Sequence, residues 1–189
     1  MPSSHFMQQA SARIDVADAH EVLSAYLQER LHGQPVRITR SERLSGGAIQ
    51  ENWLLEAEVA GTPQRWVLRT DAASAVAASM SREQEFAVLS AVHQVGVKVP
   101  EPLWLCQAPQ VIGRDFFIMQ ALAGSASGHR LTTAQATPEG NPALCRALGA
   151  NLARLHQLRP PQAALGFLPA PVADAVQASV DQYRGYLDA

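Results

Sequence analysis

The chain has 189 residues, of which 47% are hydrophobic and 17% charged, a balance typical of a globular protein with one core or one and a half small ones. The net charge of -2 and the pI near 6.3 provide no basic field for nucleic acid or an anionic membrane surface. No stretch approaches the roughly 18 consecutive apolar residues of a membrane span. We therefore expect a cytoplasmic protein, with Cys106 and Cys145 as reduced thiols that match no metal-binding spacing.

The first half of the chain predicts one helix and three antiparallel strands. Residues 1–14 are small and polar and are expected to form a flexible tail. Asp15 is a favourable N-cap for a helix that ends near Gly33. Two short turns are expected after this helix, at Ser45-Gly46-Gly47 and at Gly61-Thr62-Pro63. The turns separate three segments with strand-like alternation, which predict an antiparallel meander: Val36–Leu44, Gln50–Ala60 and Arg65–Thr70.

The second half predicts another helix, two more strands and a helical end. Ser81 and Gln84 form a capping-box pattern that opens a helix ending near Gly96. A turn around Gly113 joins two strands, at Leu103–Cys106 and Phe116–Ala121. Asn141 followed by a proline is a strong helix start. The elements predict an α+β fold, in which a five-stranded antiparallel sheet with one inserted helix precedes helices at about Asn141–Leu158 and Val172–Leu187.

Arg69 is the charged residue whose predicted position most needs an explanation. Alternation places it on one face of the third strand with Arg65 and Val67, and that strand should be central in the sheet. An unpaired cation is costly there, so Arg69 either reaches water at the strand end or has a carboxylate partner. Glu85 can be that partner, because it belongs to the apolar stripe of the following helix. Taken alone, a structural ion pair explains both residues.

The turn Ser45-Gly46-Gly47 lies between two strands rather than between a strand and a helix. This position, and the absence of a Gly-Lys-Ser/Thr sequence, exclude a P-loop. Two interpretations remain open at this point. The glycines form an ordinary hairpin turn, or they form a flap whose backbone amides close over phosphate groups.

The order of these features favours the second interpretation. A glycine-containing hairpin, a cation on the third strand and an acid on the next helix are arranged as in the small lobe of protein kinases. In that lobe the cation grips phosphate oxygens and the acid holds the cation. By the same comparison, Val67 would cover the adenine ring. The backbone at the end of the fifth strand would hydrogen-bond the adenine edge, through Gln120, Ala121 and Leu122.

Five segments together resemble the aminoglycoside phosphotransferase-like family, which includes choline kinase-like enzymes: Arg43–Gly47, Trp66–Arg69, Glu83–Leu89, Val97–Pro100 and Leu152–His156. Most of the family has Lys where this chain has Arg69. In having an arginine at this position, the chain resembles the branch associated with acyl-CoA dehydrogenases. This resemblance points away from aminoglycosides as substrates. The resemblance implies a protein-kinase-like small lobe over residues 15–122, a hinge over 123–140 and an incomplete helical second lobe over 141–189.

The resemblance further implies an ATP-dependent phosphotransferase acting on a hydroxyl of a small molecule. The phosphates would contact Ser45, Gly46, Gly47 and Arg69, with Arg69 held by Glu85. The family's chemistry needs a His-Gly-Asp loop with an Asn five residues after the Asp, then a second Asp for Mg²⁺. No His-x-Asp occurs here and no Asp has an Asn five residues later. We therefore expect a fragment with no catalytic residue or metal ligand of its own, Mg²⁺ ligands beyond residue 189, no turnover and weak nucleotide binding.

Two residues could be mistaken for catalytic ones. Asp115 precedes two phenylalanines but lacks the glycine of a metal-binding Asp-Phe-Gly, so it is interpreted as a hairpin residue. His156 lies on a predicted helix among leucines, where packing is its expected role.

Two other hypotheses stay open. The chain is a non-catalytic kinase-like module for protein contacts, or Arg69 and Glu85 form a core pair in an unrelated α+β domain. An incomplete second lobe should also expose apolar surface, so we expect self-association through the helices after Asn141.

Overall fold

The computed structural model describes residues 13–45, 50–72, 80–124, 141–168 and 174–187. Its strands are β1 (Val36–Leu44), β2 (Gln50–Val59), β3 (Thr62–Asp71), β4 (Pro102–Cys106) and β5 (Phe116–Gln120). Its helices are α1 (His20–Arg30), α2 (Arg82–Gln94), α3 (Pro109–Ile112), α4 (Pro142–Leu155) and α5 (Ala175–Leu187), with 3₁₀ turns at Val16–Asp18 and Ala163–Leu165. The predicted α+β class and the five-stranded antiparallel sheet are confirmed.

The strand order is β1-β2-β3-β5-β4, which makes β3 the central strand. A two-residue turn at Ala60 and Gly61 joins β2 to β3, and both residues have positive φ, +47° and +83°. This is the requirement of a type I′ hairpin turn. The turn was expected one residue later, at Gly61-Thr62-Pro63. Thr62 and Pro63 instead lie in β3, which pairs with β2 from its first residue.

Side chains alternate between two apolar layers, one on each face of the sheet. On one face Trp66 and Leu68 of β3 join a core cluster that includes Leu23 and Leu27 of α1. On the other face Val67 clusters with two β5 residues, Phe117 and Met119, and with Phe86 and Leu89 of α2. Because period-two alternation separates these sets, α1 and α2 cover opposite faces. The predicted face of Val67 and Arg69 is therefore the α2 face.

The helix ends follow local hydrogen bonding. Ser81 and Gln84 form the predicted capping box at the start of α2, with both hydrogen bonds at 3.1 Å. Asp15 does not cap α1. Its carboxylate accepts from the Ala17 amide at 3.0 Å and caps the 3₁₀ turn that precedes the helix. The short helix α3 was also missed, because only a turn was expected between β4 and β5.

α4 begins as predicted, with the Asn141 side chain accepting from the Leu144 amide at 2.9 Å. It ends at Leu155, three residues before the predicted Leu158. Asn151 anchors α4 to the loop after α2, because its side-chain oxygen accepts from the Lys98 amide at 2.6 Å. Within the described ranges, every helix is too short or too polar to traverse a lipid bilayer.

The outer face of α4 is apolar and exposed. No residue of α4 is buried, and the exposed fractions of Leu148 and Leu152 are 60% and 52%. His156 is also exposed, so the predicted packing role is wrong: two of its neighbouring leucines, Leu152 and Leu155, are exposed as well. With Val88 of α2, His156 lines a cavity of about 840 Å³.

The two cysteines should differ strongly in reactivity. Cys106 is buried in β4, and burial raises the pKa of its thiol, whereas Cys145 on α4 is exposed. Iodoacetamide at neutral pH should therefore label Cys145 rapidly and Cys106 slowly, because access and thiolate fraction are both low at Cys106. Intact-mass spectrometry over time with peptide mapping measures both rates. The same reaction in guanidinium chloride is the control and should label both residues, and equal rates in the native protein would contradict the burial of Cys106.

Candidate functional site

Arg69 lies in the central strand and projects from the α2 face. It pairs with Asn52 of β2 on one side and Phe117 of β5 on the other. Its side chain is 23% exposed, so the guanidinium is neither free in solvent nor sealed from it. A cation in this position needs a nearby acceptor to offset its partial desolvation.

The predicted partner supplies that acceptor. Nη2 of Arg69 lies 2.6 Å from Oε1 of Glu85, which projects from the first turns of α2. The Glu85 side chain is 20% exposed. The pair therefore lies at the edge of the layer formed by α2 and the sheet, and it is not enclosed in a core. This disfavours the hypothesis of a purely internal structural pair.

Two amide side chains of β2 complete the surroundings of Arg69. Nη1 of Arg69 donates to Oδ1 of Asn52 at 3.3 Å, and Nη2 donates closely to Oε1 of Gln50. Sequence reasoning missed both residues. The available signal was their alternation with Leu54, which places two amides where a covered sheet face would carry apolar side chains. Assigning them to Arg69 also requires the β2–β3 register, which the turn position decides.

The guanidinium keeps unused donors. Of its five N–H groups, these contacts use one on Nη1 and two on Nη2. Nε is buried and has no hydrogen-bond partner among the residues that the structure describes. Because Nε is enclosed, the donor that can still reach an anion is the second N–H of Nη1.

A second arginine shares Glu85. Arg82 is 1% exposed, its Nη1 contacts Oε2 of Glu85, and its Nη2 donates to the Met80 carbonyl at 2.9 Å. Its Nε lies 3.2 Å from Oδ1 of Asp71, at the end of β3. No sequence pattern singled out Arg82, since the first turn of a helix is normally solvated.

The remaining predicted residues are only partly placed. Val67 is buried two residues before Arg69 on the same face. Ser45 is exposed at the end of β1, while Gly46 and Gly47 lie outside the described residues. The predicted adenine-edge segment at the end of β5 is more open than Val67. Within it, Ala121 is half-buried and Leu122 is exposed.

The amide of Gln120 is already engaged, because it donates to the Glu101 carbonyl at 2.9 Å. Any adenine contact at this segment must therefore use its other backbone groups. Asp115 immediately precedes β5, where its carbonyl oxygen accepts from the Thr70 hydroxyl at 2.8 Å, in keeping with a hairpin residue.

The carboxylates nearest to Arg69 do not form a magnesium site. Glu85 forms ionic contacts with Arg69 and Arg82, and Asp71 forms one with Arg82. Both carboxylates are therefore already paired with guanidinium groups. Across the described ranges, no three His, Cys, Asp or Glu side chains converge as metal ligands would.

Comparison with known proteins identifies the family. Residues 40–189 match the phosphotransferase enzyme family, APH. This span covers most of the chain, which therefore belongs to that family. Over 76 residues the chain is 36% identical to acyl-CoA dehydrogenase family member 11 from Pongo abelii. The matched span is 40% of this chain and 10% of that protein. The predicted resemblance, including its acyl-CoA dehydrogenase-associated branch, is confirmed.

A solved structure shares the fold. It is a Ralstonia eutropha JMP134 protein whose aminoglycoside phosphotransferase assignment is provisional, and it matches with a TM-score of 0.63 at 23% identity. The match covers 87% of this chain and 46% of that one. The chain thus spans less than half of the solved relative and about a tenth of the curated one. Its sheet and α2 correspond to the kinase-like N-terminal lobe.

Removing Glu85 should destabilise the protein more than removing Arg69. Glu85→Gln leaves two arginines without their shared carboxylate, whereas Arg69→Met leaves Glu85 still bound to Arg82. Breaking a buried pair costs about 3–5 kcal/mol, so we expect about 3 kcal/mol for Glu85→Gln, near the lower end because of partial exposure, and about half of that for Arg69→Met. Urea unfolding followed by circular dichroism measures both. Glu83→Gln, an exposed neighbour, should leave the midpoint nearly unchanged; a Glu85→Gln midpoint equal to it would refute the shared role.

Proposed function

We propose that this chain supplies the nucleotide-binding lobe of an ATP-dependent phosphotransferase that acts on a hydroxyl of a small molecule. The observation that carries the proposal is the partly exposed ion pair between Arg69 of the central strand and Glu85 of α2. A cation held by a helix acid, with donors still unused, is suited to grip phosphate oxygens. Membership of the phosphotransferase family supports the reaction class.

The proposed roles follow the kinase-like arrangement. Residues 15–122 form the nucleotide-binding lobe, 123–140 the hinge and 141–189 the start of the second lobe. Val67 covers the adenine ring beside the layer of Phe117 and Met119. The phosphates are bound by Ser45, Gly46, Gly47 and Arg69. The adenine edge is bound by backbone groups of Gln120, Ala121 and Leu122.

Arg69 in place of lysine changes how phosphate is bound. Lysine offers a compact charge with rotating donors, whereas the arginine fork is planar and already fixed by Gln50, Asn52 and Glu85. We propose that the free N–H of Nη1 donates to one phosphate oxygen while the other contacts hold the guanidinium in place. Pre-oriented donors lose less conformational entropy on binding, which compensates for the partial neutralisation by Glu85.

Catalysis is proposed to need residues that these 189 do not contain. The described carboxylates do not fit Mg²⁺, and the sequence lacks the His-Gly-Asp loop. When bound, Mg²⁺ would neutralise phosphate charge, with ligands expected beyond residue 189. The chain alone is therefore proposed to bind nucleotide weakly and to transfer no phosphate.

Arg69→Met should weaken ATP binding at least about tenfold, because hydrogen bonds to charged groups contribute about 1.5–3 kcal/mol each. A titration of the 189-residue protein with ATP, followed by amide chemical shifts, measures the affinity. Arg65→Met is the matched control, since Arg65 lies on the same strand face and is 60% exposed, far from the pair. It should bind ATP like the unmodified protein. Equal affinity in a folded Arg69→Met variant would rule out the proposed grip.

An interaction module is the second candidate function, and the exposed apolar faces of α4 and α5 favour it. Leu148 and Leu152 lie one turn apart on α4, and Val176 and Leu187 of α5 are 76% and 85% exposed. Exposed apolar side chains clustered on a helix face are typical of binding sites for protein. We propose that these faces mediate self-association.

The paired variant Leu148→Glu, Leu152→Glu should convert the protein to a monomer, because two carboxylates cannot be buried in an apolar interface. Sedimentation velocity at several concentrations measures the assembly state. Ala150→Glu adds one carboxylate to the exposed opposite side of α4 and should leave the assembly intact. A sharp monomer peak for the unmodified protein would contradict self-association.

A further inference from the structure

Arg82 is the most completely buried charged side chain among the residues that the structure describes, with a side-chain exposure of 0%. It occupies the first position of α2. All three nitrogens of its guanidinium lie near oxygens: Nη1 contacts Glu85, Nη2 donates to the Met80 carbonyl at 2.9 Å, and Nε lies 3.2 Å from Asp71 in an ionic contact that lacks hydrogen-bond geometry. A lysine has one nitrogen and could not reach all three, so this position depends on the planar fork.

The two oxygens of Glu85 are divided between the two arginines. Oε1 contacts Nη2 of Arg69, and Oε2 contacts Nη1 of Arg82. The terminal torsion of a glutamate is broad, so a carboxylate bound at one oxygen can still rotate. A second arginine on the other oxygen removes that freedom. The position of Arg82 therefore determines where Oε1 lies, and Oε1 in turn determines the direction of Arg69.

The charges along this network alternate. They run from Arg69 through Glu85 and Arg82 to Asp71, whose side chain is 39% exposed. With Glu85 alone, the positive charge of Arg69 would be neutralised by a dedicated carboxylate. Because Arg82 draws on the same carboxylate, Arg69 keeps a larger positive potential toward any anion that approaches its free donors.

We propose that Arg82 is a positioning residue of the phosphate site: it fixes Glu85, orients the Arg69 guanidinium and preserves its attraction for phosphate. The phosphate part of this proposal rests on the proposed nucleotide-binding function. Arg82 contacts no ligand itself and acts through Glu85. A merely structural arginine would affect stability, whereas a positioning arginine affects how strongly phosphate contributes to binding.

Arg82→Lys in the 189-residue protein separates these roles, because it keeps the charge but loses two of the three contacts. We expect its ATP affinity to fall about tenfold while its adenosine affinity stays unchanged, since adenosine has no phosphate for Arg69 to bind. Arg114→Lys is the control: Arg114 is an 11%-exposed arginine bound to Glu51 at 3.2 Å on the α1 face. It should alter stability without altering the ratio of ATP to adenosine affinity. Equal losses for both ligands with Arg82→Lys, or no loss, would overturn the proposal.

A second measurement does not depend on nucleotide binding. The Nε–H signal of Arg69 in ¹⁵N spectra, assigned with Arg69→Lys, reports the environment of its guanidinium. It should shift or broaden in Arg82→Lys and stay in place in Arg114→Lys. If the unmodified protein binds neither ATP nor adenosine, the proposed nucleotide function fails, and this signal alone decides whether Arg82 orients Arg69. An unchanged Arg69 signal in Arg82→Lys would overturn the positioning role.

Discussion

The ion pair between β3 and α2 is the constraint on which the candidate site depends. Arg69 in a central strand requires an acid, and Glu85 can provide it only if α2 lies across the same sheet face. The contact of Phe86 with Phe117, with ring centroids 5.9 Å apart, holds α2 there by apolar packing. Partly buried ion pairs add little net stability compared with apolar side chains, so the arrangement is better explained by what the cation can bind.

Packing differs sharply between the two halves of the chain. Both faces of the sheet are covered, and Leu68 and Phe117 have no exposed surface. In α4 and α5 no described side chain reaches that state. The stability of the described structure must therefore come mainly from the sheet with α1 and α2, while α4 is held by polar anchors such as that between Asn151 and Lys98. A well-packed sheet lobe and a loosely packed helical end are the physical basis for the two functions proposed here.

The strands and the caps of α2 and α4 were predictable because their signals are local, whereas Asp15 caps the 3₁₀ turn before α1 and not α1 itself. The ion pair was predictable for the same reason: Glu85 interrupts an apolar stripe, and few partners exist. Ala60 at positive φ was not, since alanine rarely adopts that conformation, and the error moved the start of β3. Gln50 and Asn52 could not be assigned to Arg69 without the β2–β3 register. The burial of Arg82 could not be predicted either, because its partner Asp71 lies at the end of β3 and the contact is not a local one.

The turn at Ala60 and Gly61 has an influence that reaches the other end of the hairpin. Starting from the Val59–Thr62 pair beside it, the ladder runs without a break to the Asn52–Arg69 pair, seven residues away on each strand, or about 24 Å. The position of the turn thus determines which β2 residues face Arg69. One residue added to the loop would slide the ladder and bring side chains of the opposite face against Arg69. The surroundings of Arg69 are in this sense specified at a surface loop remote from it.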